Sequence, residues 1–182
     1  MKKPRSYCEV VETLDATNVH RIYHDNAYGF PIFDDDELFE RLILEINQAG
    51  LSWNTILLKQ KNFKKAYHNF NIKKVAKYGA RDRARLLKDA GIIRNRLKVD
   101  AAIFNANVIL QLQKDFGSFK KWLDKHNTQT KEEWTKLFKK TFHFTGGEIV
   151  NEFLTSTGYL KGSHIPKCPV YKRVIEFGGG KE

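Results

Sequence analysis

The sequence has only two cysteines, and it lacks any long uninterrupted run of apolar residues. Cys8 and Cys168 are too few for a framework of disulfides and are compatible with a reducing compartment. Charged residues interrupt every apolar run before it reaches the length of about 18 residues that a membrane span needs. Near the start, Glu9, Glu12 and Asp15 occupy the place where a secretory signal has its apolar segment. We therefore expect a soluble, cytoplasmic protein.

Internal repeats and strand-like alternation are also absent, whereas apolar residues recur with a helical period along most of the chain. The 182 residues, 41% of them hydrophobic, suffice for one domain with a buried core and fall short of two full-sized domains. We predict a mainly α-helical fold, formed by a single domain over residues 1–175 and followed by a flexible glycine-rich tail over residues 176–182.

Periodicity and turn residues divide the chain into expected helices. The clearest helix follows an Asp-rich start, places Leu38 and Leu42 on one face, and ends at Gly50. A helical hairpin is expected over about residues 81–106. The other expected helices are 62–70, 71–78, 119–126, 131–140 and 146–156.

Positive charge is concentrated in the middle of the chain. The net charge is +11, and residues 59–98 alone contain 14 basic residues and only 2 acidic ones. A basic segment of this kind suits a polyanion, and nucleic acid is the leading candidate for a cytoplasmic protein. The alternative interpretation is a solvated helical face.

Four potential metal ligands lie in two pairs near the ends of the chain, Cys8 with His24 and His164 with Cys168. Two thiolates and two imidazoles form a closed tetrahedral zinc site, and the H-x3-C spacing lets both residues of the second pair reach one ion. At this point buried thiols and ordinary histidines remain the alternative.

A carboxylate, Glu45, lies at the edge of the apolar face of the helix that Gly50 ends, where burying its charge is costly unless the group is paired or used. A small turn at Gly50 and Leu51 follows, and then the indole of Trp53; Tyr23 precedes them in the chain. Aromatic rings and a carboxylate suit a flat, cationic ligand through stacking, cation–π attraction and hydrogen bonding. A core tryptophan and an ion-paired glutamate are the alternative interpretation.

The turn of the expected hairpin, residues 89–93, is a candidate phosphate site. Because Gly91 has no side chain, a phosphate oxygen can approach backbone amides there, and Arg94, Arg96 and Lys98 follow on the second helix. A simple helix-to-helix turn explains the same residues equally well.

Several longer motifs occur together between about Tyr7 and Pro169. They are YHDNAYGFP at 23–31, LFERLILEINQAGLSWNTILLKQKNF at 38–63, LLKDAGIIRNRLKVDAAIFNA at 86–106, FHFTGG at 142–147 and HIPKC at 164–168. In these motifs the chain resembles the 3-methyladenine DNA glycosylase I family of the helix-hairpin-helix glycosylase superfamily. The resemblance implies a helix-hairpin-helix glycosylase fold in which a structural zinc ion ties the N- and C-terminal segments together. The zinc ligands of the family fall on Cys8, His24, His164 and Cys168.

The resemblance also assigns roles in a base pocket. The residue that reads the flipped base falls on Glu45, the stacking aromatics fall on Tyr23 and Trp53, and the wedge that fills the gap in the DNA falls on Gly50 and Leu51. The implied enzyme is a monomeric, monofunctional hydrolase that flips 3-methyladenine out of double-stranded DNA in the bacterial nucleoid and leaves an abasic site. The family lacks the usual catalytic aspartate of its superfamily, so no general base is assigned.

This chain departs from the family pattern at five positions, which are Val10, His20, Tyr28, Asn151 and Thr155. The expected pocket is less aromatic as a result. Two alternatives therefore remain open: a glycosylase for a different alkylated base, and a helix-hairpin-helix protein that binds DNA without catalysis.

Overall fold

The computed structural model describes residues 6–127 and 129–180, and every regular element within these ranges is a helix. The predicted mainly α-helical fold is confirmed. Within the same ranges, no helix has both the length and the apolar character needed to cross a bilayer.

The helices follow one another through both described ranges. In chain order they are α1 (Tyr7–Glu12), α2 (Val19–Asn26), α3 (Asp35–Gln48), α4 (Trp53–Ala66), α5 (Ile72–Val75), α6 (Ala80–Lys88), α7 (Arg96–Phe116), α8 (Phe119–Lys125), α9 (Lys131–Thr141), α10 (Gly147–Ser156) and α11 (Tyr171–Glu176).

Most helix starts are set by a short polar side chain that accepts a hydrogen bond from an amide of the first turn. This contact satisfies one of the backbone donors that a helix start leaves without an intrahelical partner. The capping residues are Ser6, Asn18, Asp34, Ser52, Asn71, Asn95, Ser118 and Thr130.

The helix predicted over 62–70 is wrong at both ends. Because the side chain of Ser52 caps it, α4 begins already at Trp53, and it ends at Ala66. Residues 68–70 have φ angles of 53°, 55° and 54°, so the chain passes through a left-handed turn instead of continuing the helix. L-residues rarely adopt this conformation, and no glycine announces it in the sequence.

The chain divides into two compact units, and one of them is the continuous segment 32–151. In this unit α3 packs against α4, α7 and α8, while α5 and α6 pack against α7. The face of α3 that carries Leu38, Phe39 and Leu42 is completely buried. The two helices of the predicted hairpin are α6 and α7, joined by residues 89–95.

The other unit consists of residues up to 31 and from 152 onward. In it α1 packs against α2, and a small apolar cluster contains Cys8, Cys168, Val170 and Val174. Within the segment predicted as a flexible tail, the amide of Gly180 donates to the carbonyl of Gly158 at 2.8 Å. The last two residues of that segment, 181 and 182, lie outside the described residues.

Candidate active site and metal centre

The four predicted metal ligands lie together in the two-segment unit. Cys8 is on α1, His24 is on α2, and His164 and Cys168 are in the loop before α11. All four are buried, and their ligand atoms lie within 4.8 Å of one another. Cys168 Sγ is 3.6 Å from His24 Nε2 and 3.5 Å from His164 Nδ1, and Cys8 Sγ is 3.7 Å from His164 Nδ1. Residues 156 positions apart in the chain thus converge on one point.

The outer nitrogens of both imidazoles are hydrogen-bonded away from the thiols. His24 Nδ1 lies 2.7 Å from Asp25 Oδ1, and His164 Nε2 lies 2.8 Å from the carbonyl oxygen of Tyr28. Because a carbonyl or carboxylate oxygen accepts, each outer nitrogen carries a proton and donates it. The inner nitrogens, His24 Nε2 and His164 Nδ1, then turn their lone pairs toward the thiols. Such outer partners orient histidines that bind a metal ion.

Burial affects the protonation of this group in two ways. It raises the pKa of the Cys8 thiol to about 11, and it lowers the pKa of His164. A neutral imidazole is the form that ligates a metal, whereas a buried thiolate requires a nearby cation. The arrangement of donor atoms can therefore hold a metal ion, and an ion there would supply that cation.

Glu45 lies on the last part of α3, and only 4% of it is exposed. The helix begins at Asp35, after the cap Asp34, whose side chain accepts from the Glu37 amide. Its first turn has acidic residues, which the helix dipole favours. The apolar stripe of α3 fixes the rotation of the helix against its neighbours. The carboxylate is consequently held inside the 32–151 unit by the packing of the whole helix.

The residues that follow α3 form a tight turn, which we call the wedge turn (residues 48–51). The amide of Leu51 donates to the carbonyl of Gln48 at 2.7 Å. Ala49 has φ −50° and ψ 119°, and Gly50 has φ +80°, which are the angles of a type II turn with glycine at its third position. Leu51 is 40% exposed at the end of this turn. Trp53 follows as the first residue of α4 and is half-buried.

The hairpin turn differs from its predicted form. The prediction that Gly91 offers a free amide is wrong, because its N–H donates to Asp89 Oδ1 at 2.7 Å. The second helix also begins later, at Arg96, after the cap Asn95. Arg94 is exposed, as a phosphate contact requires, and its predicted role stays a prediction.

Lys98 is another correction, since a side chain predicted to contact phosphates is only 5% exposed. Its Nζ donates to the carbonyl oxygens of Asn47 at 2.8 Å and of Ala49 at 2.7 Å. Nζ also lies 5.9 Å from the centre of the Phe144 ring. The ammonium group therefore binds backbone carbonyls inside the protein. The distribution of charge along the sequence does not predict these hydrogen bonds.

Tyr23, the second predicted stacking residue, belongs to the two-segment unit and is buried on α2. It lies in an aromatic cluster with Tyr28, whose ring centre is 5.7 Å away. Tyr7 joins the cluster at 5.4 Å from Tyr28, and its hydroxyl lies 3.0 Å from His20 Nδ1. Two positions at which the chain departs from the family pattern, 20 and 28, are therefore neighbours of Tyr7, and the role of Tyr23 in a base pocket stays a prediction.

Known proteins resemble this chain over most of its length. The model of the methyladenine glycosylase family matches residues 13–137. The DNA-3-methyladenine glycosylase of Haemophilus influenzae is 35% identical, over 81% of this chain and 89% of that protein. The DNA-3-methyladenine glycosylase 1 of Escherichia coli is 36% identical, over 82% of this chain and 89% of that protein.

Solved structures resemble the fold as well. One is a structure of 3-methyladenine DNA glycosylase I from Staphylococcus aureus, which was determined to explain how that enzyme recognises 3-methyladenine. It superimposes on this chain with a TM-score of 0.78 and 31% identity, and the alignment covers 86% of this chain and 93% of that chain. A crystal structure of another 3-methyladenine DNA glycosylase I has a TM-score of 0.76 and 33% identity, over 87% of this chain and 97% of that chain.

Proposed function

The chain belongs to the methyladenine glycosylase family, and from this premise we propose that it hydrolyses the N-glycosidic bond of 3-methyladenine in double-stranded DNA. The products are free 3-methyladenine and an abasic site. The observation that carries the proposal is the buried carboxylate of Glu45 on the helix that leads directly into the wedge turn. We propose further that the enzyme is a monomer of the bacterial cytoplasm that starts repair of alkylated DNA.

Hydrolysis of this bond requires little acid catalysis by the protein. An adenine alkylated at N3 is cationic while it is attached to the sugar, so it is already a good leaving group. When the bond breaks, the electron pair stays on the base, which departs neutral, while water adds to the sugar carbon and releases a proton. Glu45 hydrogen-bonds the edge of the cationic base and stabilises its charge. No residue is assigned as the general base.

Aromatic side chains supply the rest of the base pocket in this proposal. Trp53 stacks on the flipped ring, an interaction that every base can make and that a cationic base strengthens, and the stacking role that the resemblance gives Tyr23 stays a prediction. Selectivity then comes from Glu45, because its negative charge favours a cationic base over a neutral one. An undamaged adenine gains less from the same carboxylate and remains a poorer leaving group.

The wedge turn fills the space that the flipped nucleotide leaves. Gly50 gives the turn a backbone conformation that L-residues rarely adopt, and Leu51 offers an exposed apolar side chain. An apolar side chain inserted between base pairs offsets the few kcal/mol that unstacking costs. Gly50 and Leu51 are therefore proposed as the DNA wedge.

Basic residues of the hairpin region hold the DNA backbone. Arg94 precedes α7 and is exposed, as are most of the other lysines and arginines of the 59–98 segment. The α6–α7 pair is proposed to act as the helix-hairpin-helix element, with phosphate contacts supplied by side chains.

The metal ion of the Cys8, His24, His164 and Cys168 group is proposed to be zinc, in a structural role. Two thiolates and two imidazoles around a tetrahedral zinc ion are about 3.3 to 3.8 Å apart, given bonds of about 2.3 Å to sulfur and 2.0 to 2.1 Å to nitrogen. The three sulfur–nitrogen distances of 3.5, 3.6 and 3.7 Å fall in that range. Bound there, zinc would cross-link α1, α2 and the loop before α11.

The experiment that tests the function is base release. Methylated duplex DNA is incubated with the protein, and every free base is identified by mass spectrometry, with the Glu45→Gln variant as the matched control. We expect 3-methyladenine as the main product of the parent protein. Binding of DNA without release of any base would instead support the non-catalytic alternative.

A different alkylated base among the products would support the other alternative. His20 and Tyr28 give this outcome a specific cause, because both stand near Tyr7 in the cluster that contains Tyr23. In that case the chemistry proposed for Glu45 is retained and only the lesion changes.

A further inference from the structure

Lys98 lies at the N-terminal end of α7, where a positive charge does not stabilise the helix. It is in the first turn of α7, at the end of the helix dipole that repels a cation, and burial lowers its pKa. A buried ammonium group is tolerated when its donors are satisfied, and here two backbone carbonyls accept at 2.8 and 2.7 Å. We therefore look for the reason for this buried charge in the two carbonyl groups to which it donates.

The two carbonyls belong to the end of α3 and to the wedge turn. The last carbonyls of a helix have no intrahelical donor, and Asn47 is one residue from the end of α3. Ala49 is the second residue of the wedge turn, directly before Gly50. Lys98 thus satisfies the end of the helix that carries Glu45 and fixes the backbone from which Leu51 projects.

A second lysine makes the converse contact. Lys59 of α4, the helix after the wedge turn, donates from Nζ to the carbonyl oxygen of Ala90 in the hairpin turn at 2.9 Å. The α7 side chain therefore holds the wedge turn, and the α4 side chain holds the hairpin turn. Both contacts lie in the 32–151 unit, and together they brace the two turns against each other.

We propose that Lys98 is a positioning residue, which fixes the wedge turn relative to the hairpin so that Leu51 enters the duplex while the hairpin region holds the phosphates. This proposal rests on the glycosylase function proposed above. A turn that is already ordered loses less conformational entropy when it enters DNA, and a small displacement of a positioned group costs a large factor in rate. Lys98 itself touches neither the base nor the sugar in this role.

The first test compares two DNA substrates. In Lys98→Met the side chain keeps its length and loses its ammonium group, so we expect kcat/KM on methylated duplex DNA to fall about tenfold or more, while the value on a methylated single strand changes less than about twofold. A single strand needs no wedge. Lys98→Arg keeps donors for both carbonyls and is expected to recover most of the duplex activity. The matched control is Lys114→Met, which removes one exposed charge from the last turn of the same helix.

The second test asks whether Lys98 acts through the wedge. If it does, the double variant Lys98→Met with Leu51→Ala should be no slower on duplex DNA than Leu51→Ala alone, because the wedge is already lost. Multiplied losses would show that the two residues act independently and would overturn the proposal. An equal loss on duplex and single strand in Lys98→Met would overturn it too.

A measurement that needs no activity separates this proposal from the proposed function. Hydrogen exchange of the Leu51 amide, which donates to Gln48, should accelerate at least about threefold in Lys98→Met and stay unchanged in Lys114→Met. Unchanged exchange in both variants contradicts the brace, even if the parent releases 3-methyladenine. If Lys98→Met does not fold, Lys98→Gln takes its place and should show the same duplex-specific loss, because its shorter, neutral side chain does not put an ammonium group between the two carbonyls.

Discussion

Four charged side chains are buried in the 32–151 unit, Glu40, Arg41, Glu45 and Lys98, and the last two have different proposed roles. Glu45 is held by a helix whose apolar face fixes its position, whereas Lys98 satisfies carbonyls at the end of that helix. The first is proposed to meet the substrate and the second to hold the backbone. Substitutions at the two positions should therefore have different signatures.

Glu45→Gln preserves the shape of the side chain and removes its negative charge. We expect base excision from methylated duplex DNA to fall at least about tenfold, because the cationic base loses its electrostatic partner. Melting temperature, metal content and affinity for undamaged DNA should stay near the parent values. The control is Glu37→Gln on the exposed first turn of the same helix, which should retain full activity. A fully active Glu45→Gln enzyme would contradict the assignment.

Trp53→Ala removes the proposed stacking platform at the start of α4. The loss should be about 1 to 3 kcal/mol of base recognition, or roughly 5- to 150-fold in rate. Trp53→Phe keeps a ring and should lose much less. Rate measured alongside thermal unfolding decides between the alternatives, since a purely structural tryptophan would lose activity only in proportion to unfolded protein.

The sequence predicts which residues form the Cys/His group, because few residue types bind metal ions, but it does not predict hydrogen bonds to acceptors far away in the chain. Cysteine and histidine at metal-ligand spacing have few other uses in combination, and all four came together as predicted. A lysine has many uses. Only the folded chain shows that the donors of Lys98 meet Asn47 and Ala49, or that Asp89 accepts from the amide of Gly91.

At the scale of the element, long helices with a clear apolar stripe were predicted close to their observed bounds. α3, α9 and α10 are examples, because a repeated period over several turns is a strong signal. The bounds predicted for α4 miss its start at Trp53, which is set by the cap Ser52. The left-handed turn at 68–70 has only a weak local signal, because it contains no glycine, although histidine and asparagine, here His68 and Asn69, adopt positive φ more often than most residues.

The metal group gives a prediction for the elements that it joins. Protein purified without chelator should contain one zinc ion per chain by elemental analysis, and Cys168→Ser should lose it. Since metal binding is coupled to folding, a loss of about 3 kcal/mol would lower the melting temperature by roughly 6 to 12 °C.

The matched control for the metal group is Lys167→Ser, an exposed substitution in the same loop, which should keep both zinc and stability. Metal-free parent protein, or a Cys168→Ser variant as stable as the parent, would argue against the site.

At the scale of the whole molecule, binding to DNA should be governed by its net charge of +11 and by the excess of basic residues between 59 and 98. If four to six phosphates are engaged, log affinity should fall with log salt with a slope of about −4 to −5. Titrations of undamaged duplex at several salt concentrations measure the slope. An affinity that barely responds to salt would remove DNA as the partner.

The division of the chain into a continuous unit and a two-segment unit sets an order of events during translation. Every contact inside the 32–151 unit can form once that segment has left the ribosome, because none of them needs a later residue. The metal ligands cannot meet until His164 and Cys168 have been synthesised, long after Cys8 and His24. Domains fold as their own residues emerge. In the nascent protein the 48–51 turn and the α6–α7 hairpin can therefore form first, and the proposed metal ion would be bound last, when the C-terminal pair of ligands joins the N-terminal pair.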